Sequence, residues 1–353
     1  MGAAPTLPRL SVLLPVYNGE RFIAQSVRSV LAQTFRDFEL VVVDDGSADR
    51  TLEIVSGFQD PRIRLVRLPE HKGLVEALNV GLRSIESELV ARMDADDDCL
   101  PGRFERQVRF LDAHPDVALC GSWTQQFGNG ASAISRPPAS PHEVHARLFF
   151  GWSIDHPSVM MRRDFLALHG LEYDEAFRHV EDQDFFMRVA EVGKIANIPE
   201  VLLRTREHEA NVSRVYRQEQ VRTEKALYVR QLQALLPDAT EEQTQFHVRI
   251  ATESVGLHEL GRADQWLLQL DAVNRTLGRY HPEAFRDELR QRSYDLHAGL
   301  VTGGLAVFRA FWHSPVAGSL GNRLLGIAAL AREWSVARLV VHKRSLLRMM
   351  ARR

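Results

Sequence analysis

Residues 94–98 read Asp-Ala-Asp-Asp-Asp, with Asp94 and Asp96 one residue apart directly after an apolar run. Carboxylates at this spacing supply hard oxygen ligands of the kind Mg2+ and Mn2+ prefer, ions that often complete their shell with a substrate's phosphates. The plainer alternative is a solvated acidic turn. A second acidic pair, Asp44-Asp45, also ends an apolar run. There Asp45 can accept hydrogen bonds from a base or sugar edge, or simply form a turn with Gly46, while Asp49 suits a helix N-cap. In a third pair, Glu181-Asp182, Asp182 can act as a general base toward an attacking hydroxyl, or cap the helix that follows. His156 and His208, taken singly, read as structural residues or as support for a site.

These groups need elements to hold them. Leu10–Val16 reads as a buried strand, and Phe22, Ile23, Val27, Val30 and Leu31 then recur at helical spacing. Phe38–Val43 is a second apolar run, followed by a helix from Thr51 and a short strand at Ile63–Leu68. A helix over Gly73–Ser84 carries Leu74, Ala77, Leu78 and Leu82 on one face, and Leu89–Met93 is the next strand. Strands alternating with helices predict a doubly wound α/β domain with a parallel sheet. Such sheets bind ligands beyond the carboxyl ends of their strands, where Asp44-Asp45 and Asp94–Asp98 both stand. That placement favours the ligand reading of the acids over the bland one.

Further on, Thr124–Pro141 is rich in Gly, Ser, Ala and Pro and reads as a loop or irregular hairpin. Ser140-Pro141-His142-Glu143 is a capping box that predicts a helix start. Glu181-Asp182 should open a helix closed by Gly193. Beyond Tyr216 the strand signals fade into helical periodicity, so the expected division is a catalytic domain over 1–215 and an α-helical region over 216–353.

The composition of the 353 residues, 45% hydrophobic and 25% charged, excludes disorder and a disulfide-stapled miniprotein. A formal charge of −2 argues against a chain built to grip nucleic acid. The charge is uneven, however. Residues 321–353 hold eight basic side chains and one acid, a tail of +7 that leaves −9 on the rest. In that tail Leu324, Ile327, Ala328, Ala331, Trp334, Val341 and Leu347 can share an apolar face. It can lie on an anionic membrane or pack on the body. Cys99 and Cys120 read as reduced thiols, Pro15 interrupts the early apolar run, and Arg309, His313 and Pro315 break the stretch Leu300–Leu320. The expectation is a cytoplasmic protein without signal peptide or membrane span, peripheral on the inner face of the membrane if the tail binds there.

In order along the chain, the segments Ser11–Asn18, Val42–Asp49, His71–Leu82, Met93–Asp97 and Glu181-Asp182 together resemble family 2 inverting glycosyltransferases of the GT-A fold, over roughly residues 8–215. The resemblance implies a GT-A α/β domain, Rossmann-like with a mostly parallel sheet flanked by helices, followed here by the α-helical C-terminal region. It implies a nucleotide-diphosphate sugar donor, taken as a UDP-sugar, a divalent metal (Mn2+ or Mg2+) and a glycan or lipid-linked acceptor of the kind used in cell-surface polysaccharide synthesis. Pro15, Tyr17 and Asp45 match nucleotide-contacting motifs. Asp94, Ala95 and Asp96 match the D-x-D, with Asp96 the chief metal contact, and Asp182 matches the catalytic base. The segment Ile154–Met160 with His156 looks like the one lining the donor sugar and acceptor. Arg206 and His208, with Asn211 and Ser213, resemble an R-x-H element that approaches the diphosphate, His208 being a further candidate metal ligand. Two rivals stay open. A sugar nucleotidyltransferase should carry a Gly-rich phosphate loop that Tyr17-Asn18-Gly19 does not provide. A non-catalytic glycan-binding scaffold should have lost Asp96 or Asp182.

Overall fold

The computed structural model describes residues 7–209, 216–252, 255–319 and 321–334. Strands β1 (Leu10–Val16) and β2 (Phe38–Asp44) are buried along almost their whole length, as parallel strands covered on both faces must be. β1 pairs in parallel with β2 and with β4 (Leu89–Arg92), and β2 pairs in parallel with β3 (Ile63–Arg67). Helices α1 (Ile23–Leu31), α2 (Thr51–Ser56) and α3 (Leu74–Ser84) make the crossovers, each burying an apolar stripe on the sheet. The register sets Val16 beside Asp44 and Leu13 beside Arg92, so neighbouring strands stop together and the acidic segments leave from one edge.

The second half of the sheet is mixed. After β5 (Asp98–Cys99) and α4 (Arg103–Ala113) come β6 (Val117–Phe127), β7 (Ile134–Ser135), α5 (Pro141–Arg147), β8 (Met160–Arg162), α6 (Arg163–Leu168), α7 (Glu181–Val192) and β9 (Lys194–Arg206). The strand order is β3-β2-β1-β4-β8-β6-β9-β5, with β7 on the edge of β6. β8 runs antiparallel to β4 and β6, whereas β6 and β9 form a long parallel pair broken by bulges. Of the two forms expected for 124–141, loop or irregular hairpin, the structure has a short hairpin. Thr124–Phe127 extend β6, and Thr124 and Gln125 pair with Ser135 and Ile134 of β7. The capping box at Ser140 forms as expected, and so does α7, which stops at Gly193.

The chain divides into two compact units. One holds the described residues up to Leu148 together with Trp152–Glu224. The other holds Phe149–Gly151 and the described residues from Lys225 onward. Along the chain the change from the first unit to the second falls between Glu224 and Lys225. Helices α8 (Arg217–Leu235), α9 (Glu241–Thr252), α10 (Leu260–Leu277), α11 (Pro282–Ala298) and α12 (Leu305–His313) follow in order, then a helical stretch over 321–334.

In the second unit Phe149 meets Tyr280 and Phe285 edge-on, and those two rings stack at 4.7 Å. The last stretch packs on this unit through Leu330, fully buried with Phe311 and Ala317, and through Trp334 on Phe308. Ile327 and Trp334 of the expected apolar face thus turn inward, while Leu324 and Leu325 are exposed. Val341 and Leu347 lie outside the described residues. No helix among those described is long and apolar enough to cross a membrane.

Candidate active site

The acidic segment leaves β4 through Arg92, a buried guanidinium that grips Asp94 with both terminal nitrogens, at 2.7 and 2.6 Å. Two bonds in a fork fix the carboxylate as a single bond could not. Ser26 on α1 donates to the carbonyls of Ala95 and Asp97, at 2.8 and 2.7 Å, and so ties down the turn. At the other end of the sheet β9 delivers Arg206, whose backbone N–H donates to Asp97 Oδ1 at 2.9 Å and whose Nε donates to the Asp96 carbonyl at 2.8 Å. His208 Nε2 sits 2.8 Å from Asp96 Oδ2.

Carboxylate oxygens of Asp94, Asp96 and Asp97 come within 4.8 Å of one another. Burial, reinforced by its two acidic neighbours, holds the Asp97 carboxyl well above the usual range. Burial also raises Asp94 against the pull of Arg92. Asp97 Oδ2 is buried without a hydrogen-bond partner among the described residues. An all-oxygen set with an orphaned buried carboxylate oxygen fits a hard divalent cation, which would relieve both the repulsion and the desolvation. Asp96 and Asp97 are the better placed to hold one, because Asp94 has both oxygens on Arg92.

Asp94 and Asp96 line a cavity of about 560 Å3 that also takes in His156, Glu181, Asp182 and His208. Asp182 is the second residue of α7 and not its cap. The helix starts after Val180, and the Gln183 N–H donates to Asp182 Oδ1 at 2.8 Å. Burial first, and then the charge of Glu181, push the Asp182 carboxyl up to about 8. His156 Nδ1 lies 3.9 Å from Asp182 Oδ2, and His156 Nε2 lies 2.8 Å from the Tyr173 hydroxyl. Burial, with Arg92 nearby, holds His156 well below its ordinary pKa, so the ring is neutral. A carboxylate poised near neutrality, sharing one cavity with four other carboxyl side chains and a neutral imidazole, is equipped to accept a proton beside a cation-bound anion.

A second group forms where β1 and β2 end. Tyr17, about half exposed, stacks on His71 at 3.8 Å between ring centroids. Asp45 pairs with His71 Nδ1 at 2.8 Å and accepts the N–H groups of Lys72 and Gly73 at 2.7 and 2.8 Å. Gly46 and Gly73 adopt φ +68° and +96°, where a side chain would strike the backbone at Glu70-His71 or the Arg178 guanidinium. Asp45 therefore makes the turn with Gly46 and also anchors the 71–73 segment. The cap position of α2 falls on Arg50, not on Asp49 as expected; Asp49 stands one residue earlier and accepts from the Thr51 N–H at 2.9 Å.

The structure thus brings Asp94, Asp96, His156, Asp182 and His208 into one cavity, with Tyr17 and Asp45 in the neighbouring group. Three other expected site residues are not among those lining this cavity. Pro15 is buried inside β1 opposite Val43. Ala95 packs toward the core. Arg206 lies over Phe22 and Phe127, at 4.5 and 4.3 Å, and donates to Gln25 at 2.7 Å, so it braces the acidic turn. Asn211 and Ser213 lie outside the described residues. Residue reasoning missed Arg92, Asp97, Tyr173 and the part played by His71. For Arg92 the signal was a lone cation closing an otherwise apolar run. Nothing local marked Tyr173.

Residues 11–168 match the family model described as Glycosyl transferase family 2. The chain is 34% identical over 202 residues to the amylovoran biosynthesis glycosyltransferase AmsE of Erwinia amylovora, covering 56% of this chain and 75% of that one. It is 30% identical over 234 residues to an uncharacterized glycosyltransferase of Haemophilus influenzae, covering 62% and 72%. The fold is similar to that of S. aureus TarS 1–349 solved with UDP-GlcNAc, at 20% identity and a TM-score of 0.56 over 94% of this chain and 92% of that one. It is also similar to the mannosyltransferase PcManGT of Pyrobaculum calidifontis solved with GDP-Man and Mn2+, at 19% identity and a TM-score of 0.53 over 98% and 85%. On this likeness in sequence and fold, the chain belongs to glycosyl transferase family 2 and is a GT-A-type glycosyltransferase.

Proposed function

We propose that the protein moves a sugar, with inversion, from a nucleotide-diphosphate donor, taken as a UDP-sugar, to a hydroxyl of a glycan or lipid-linked acceptor in cell-surface polysaccharide synthesis. The observation that carries this reading is the sharing of one cavity by Asp182 and the Asp94–Asp96 pair. A volume of about 560 Å3 lies within the size range of small-ligand sites. Asp182 takes the proton of the acceptor hydroxyl as its oxygen bonds to the anomeric carbon. The bond from that carbon to the diphosphate oxygen breaks, and its electron pair leaves with the nucleoside diphosphate. Attack from the face opposite the leaving group inverts the centre, and a single displacement needs one base where glycoside hydrolases use a carboxyl pair.

Asp96 and Asp97, with Asp94 and His208 beside them, would hold Mn2+ or Mg2+, which when bound supplies Lewis-acid stabilisation of the departing diphosphate. Arg92 orients Asp94 and offsets part of the negative charge. The Tyr17–His71 stack and Asp45 offer an aromatic face and a carboxylate to the base. The UDP-GlcNAc, GDP-Man and Mn2+ seen in the structural neighbours support the donor and metal, and the relative named for amylovoran biosynthesis supports the pathway class. Exposed Leu324 and Leu325, on a segment that carries +7 over 321–353, support contact with an anionic membrane surface at the cytoplasmic side.

The test is nucleotide release from UDP-glucose, UDP-GlcNAc and GDP-mannose, each with and without Mn2+. Mn2+-dependent release of nucleoside diphosphate supports the reading. Cleavage of the nucleotide sugar by pyrophosphate into nucleoside triphosphate and sugar 1-phosphate would instead identify a nucleotidyltransferase, and donor binding without turnover a scaffold.

A further inference from the structure

We infer that Tyr173, anchored by Asn79, is a positioning residue for the transfer: its hydroxyl fixes His156 in the tautomer whose Nδ1–H faces the Asp182 carboxylate. The role rests on the reading of Asp182 as the base. On α3, buried Asn79 makes a matched pair of bonds to the Tyr173 backbone. Its amide nitrogen donates to the Tyr173 carbonyl at 2.8 Å, and its oxygen accepts the Tyr173 N–H at 2.9 Å. The Tyr173 ring is buried and stacks at 4.4 Å on Phe185 of α7, the helix that also presents Asp182. Held at backbone and ring, the phenol has little freedom in where it aims its hydroxyl.

That hydroxyl meets His156 Nε2 at 2.8 Å. A neutral imidazole has one donor and one acceptor nitrogen. Burial raises the Tyr173 pKa, so the phenol keeps a proton to donate. Donation into Nε2 leaves the ring proton on Nδ1, the nitrogen 3.9 Å from Asp182 Oδ2. With Asp182 ionised, as it must be to act as base, the opposite tautomer would aim a lone pair at a carboxylate. A gap of 3.9 Å is too long for a direct hydrogen bond. It can close when substrate enters, as catalytic contacts commonly do, or admit the acceptor hydroxyl against both groups. Asp182 is then oriented from two sides, by the Gln183 N–H on Oδ1 and by His156 toward Oδ2. Neither Tyr173 nor His156 gains or loses a proton in the cycle.

The test uses the full chain labelled with 15N-histidine, the His156 signals being assigned by their loss in His156→Gln. At pH 9, where Asp182 is ionised, wild-type protein should show His156 protonated on Nδ1, and Tyr173→Phe, which keeps the ring stack and the Asn79 bonds, should move a measurable share of that proton to Nε2. A wild-type ring protonated on Nε2, or a Tyr173→Phe ring unchanged from wild type, overturns the assignment, and the wild-type spectrum decides alone if that variant does not fold. With whichever of UDP-GlcNAc and GDP-mannose turns over, Tyr173→Phe should lower kcat about tenfold and leave the donor KM within about twofold, because the contact orients the base and not the donor. Wild-type kcat in Tyr173→Phe beside an inactive Asp182→Asn would overturn the positioning role while leaving the base reading intact. Undiminished turnover in Asp182→Asn would remove the base reading itself.

Discussion

At the scale of single residues, the chemistry turns on carboxylates that burial has made reluctant to ionise. Asp182, pushed up to about 8 by desolvation and by Glu181, is an acceptor only once it has lost its proton. Below about pH 8 the protonated fraction grows, so kcat should fall roughly tenfold per pH unit toward pH 6 and level off above pH 8. His156, held neutral, adds no limb of its own across that range. A pH profile of kcat for the active donor checks this, and a flat profile between pH 6 and 9 contradicts it. Arg92 makes a separate prediction. Arg92→Met leaves Asp94 facing Asp96 and Asp97 without its cation. The cost should be about 2–4 kcal/mol in urea unfolding, toward the lower end of what breaking a buried pair costs because the Asp94 side chain is about a third exposed. Arg92→Lys keeps the charge but loses the fork, and should fall between.

At the scale of elements, the site depends on strands that stop together. Gly81 lets α3 lie directly on β1 and β2, since a Cβ there would come 2.2 Å from Leu13 Cδ1 and 3.1 Å from Val43 Cγ2. Gly81→Val should cost about 1–3 kcal/mol by overpacking, read as a lower urea midpoint at unchanged slope; an unaltered midpoint would show that the helix can ride outward freely. The same contrast explains what could be read from the chain alone. β1, β2 and β4 are legible because strands buried on both faces are apolar runs, and Asp45 and Asp94 are legible because they end those runs. β6 beyond Trp123 and β9 beyond Leu203 carry Thr, Gln and Arg, and a two-residue edge strand covers part of β6, so no clean alternation marks them. The bracing part of Arg206 was hidden for a related reason. Its motif was visible, but Phe22, Gln25 and Phe127, which claim its guanidinium, lie far away in sequence. Tyr173 is tied to Asn79 across 94 positions, a link that exists only once α3 has packed.

At the scale of the whole molecule, the −2 total combines acids gathered around a cavity with a basic tail. Part of the tail's apolar face is spent on packing through Leu330, so membrane contact would fall to Leu324, Leu325 and the basic residues around them. Leu324→Glu with Leu325→Glu should reduce flotation with vesicles containing anionic lipid, while changing stability by less than about 0.5 kcal/mol per exposed site. Equal flotation of variant and wild type would assign this helix to packing alone. The central claim, that a base on α7 acts across one cavity from the acidic turn after β4, meets its most direct test in Asp182→Asn. Single-turnover release of nucleoside diphosphate should drop by at least about a hundredfold, with donor affinity within about twofold of wild type. Turnover at the wild-type rate with unchanged donor affinity would contradict it.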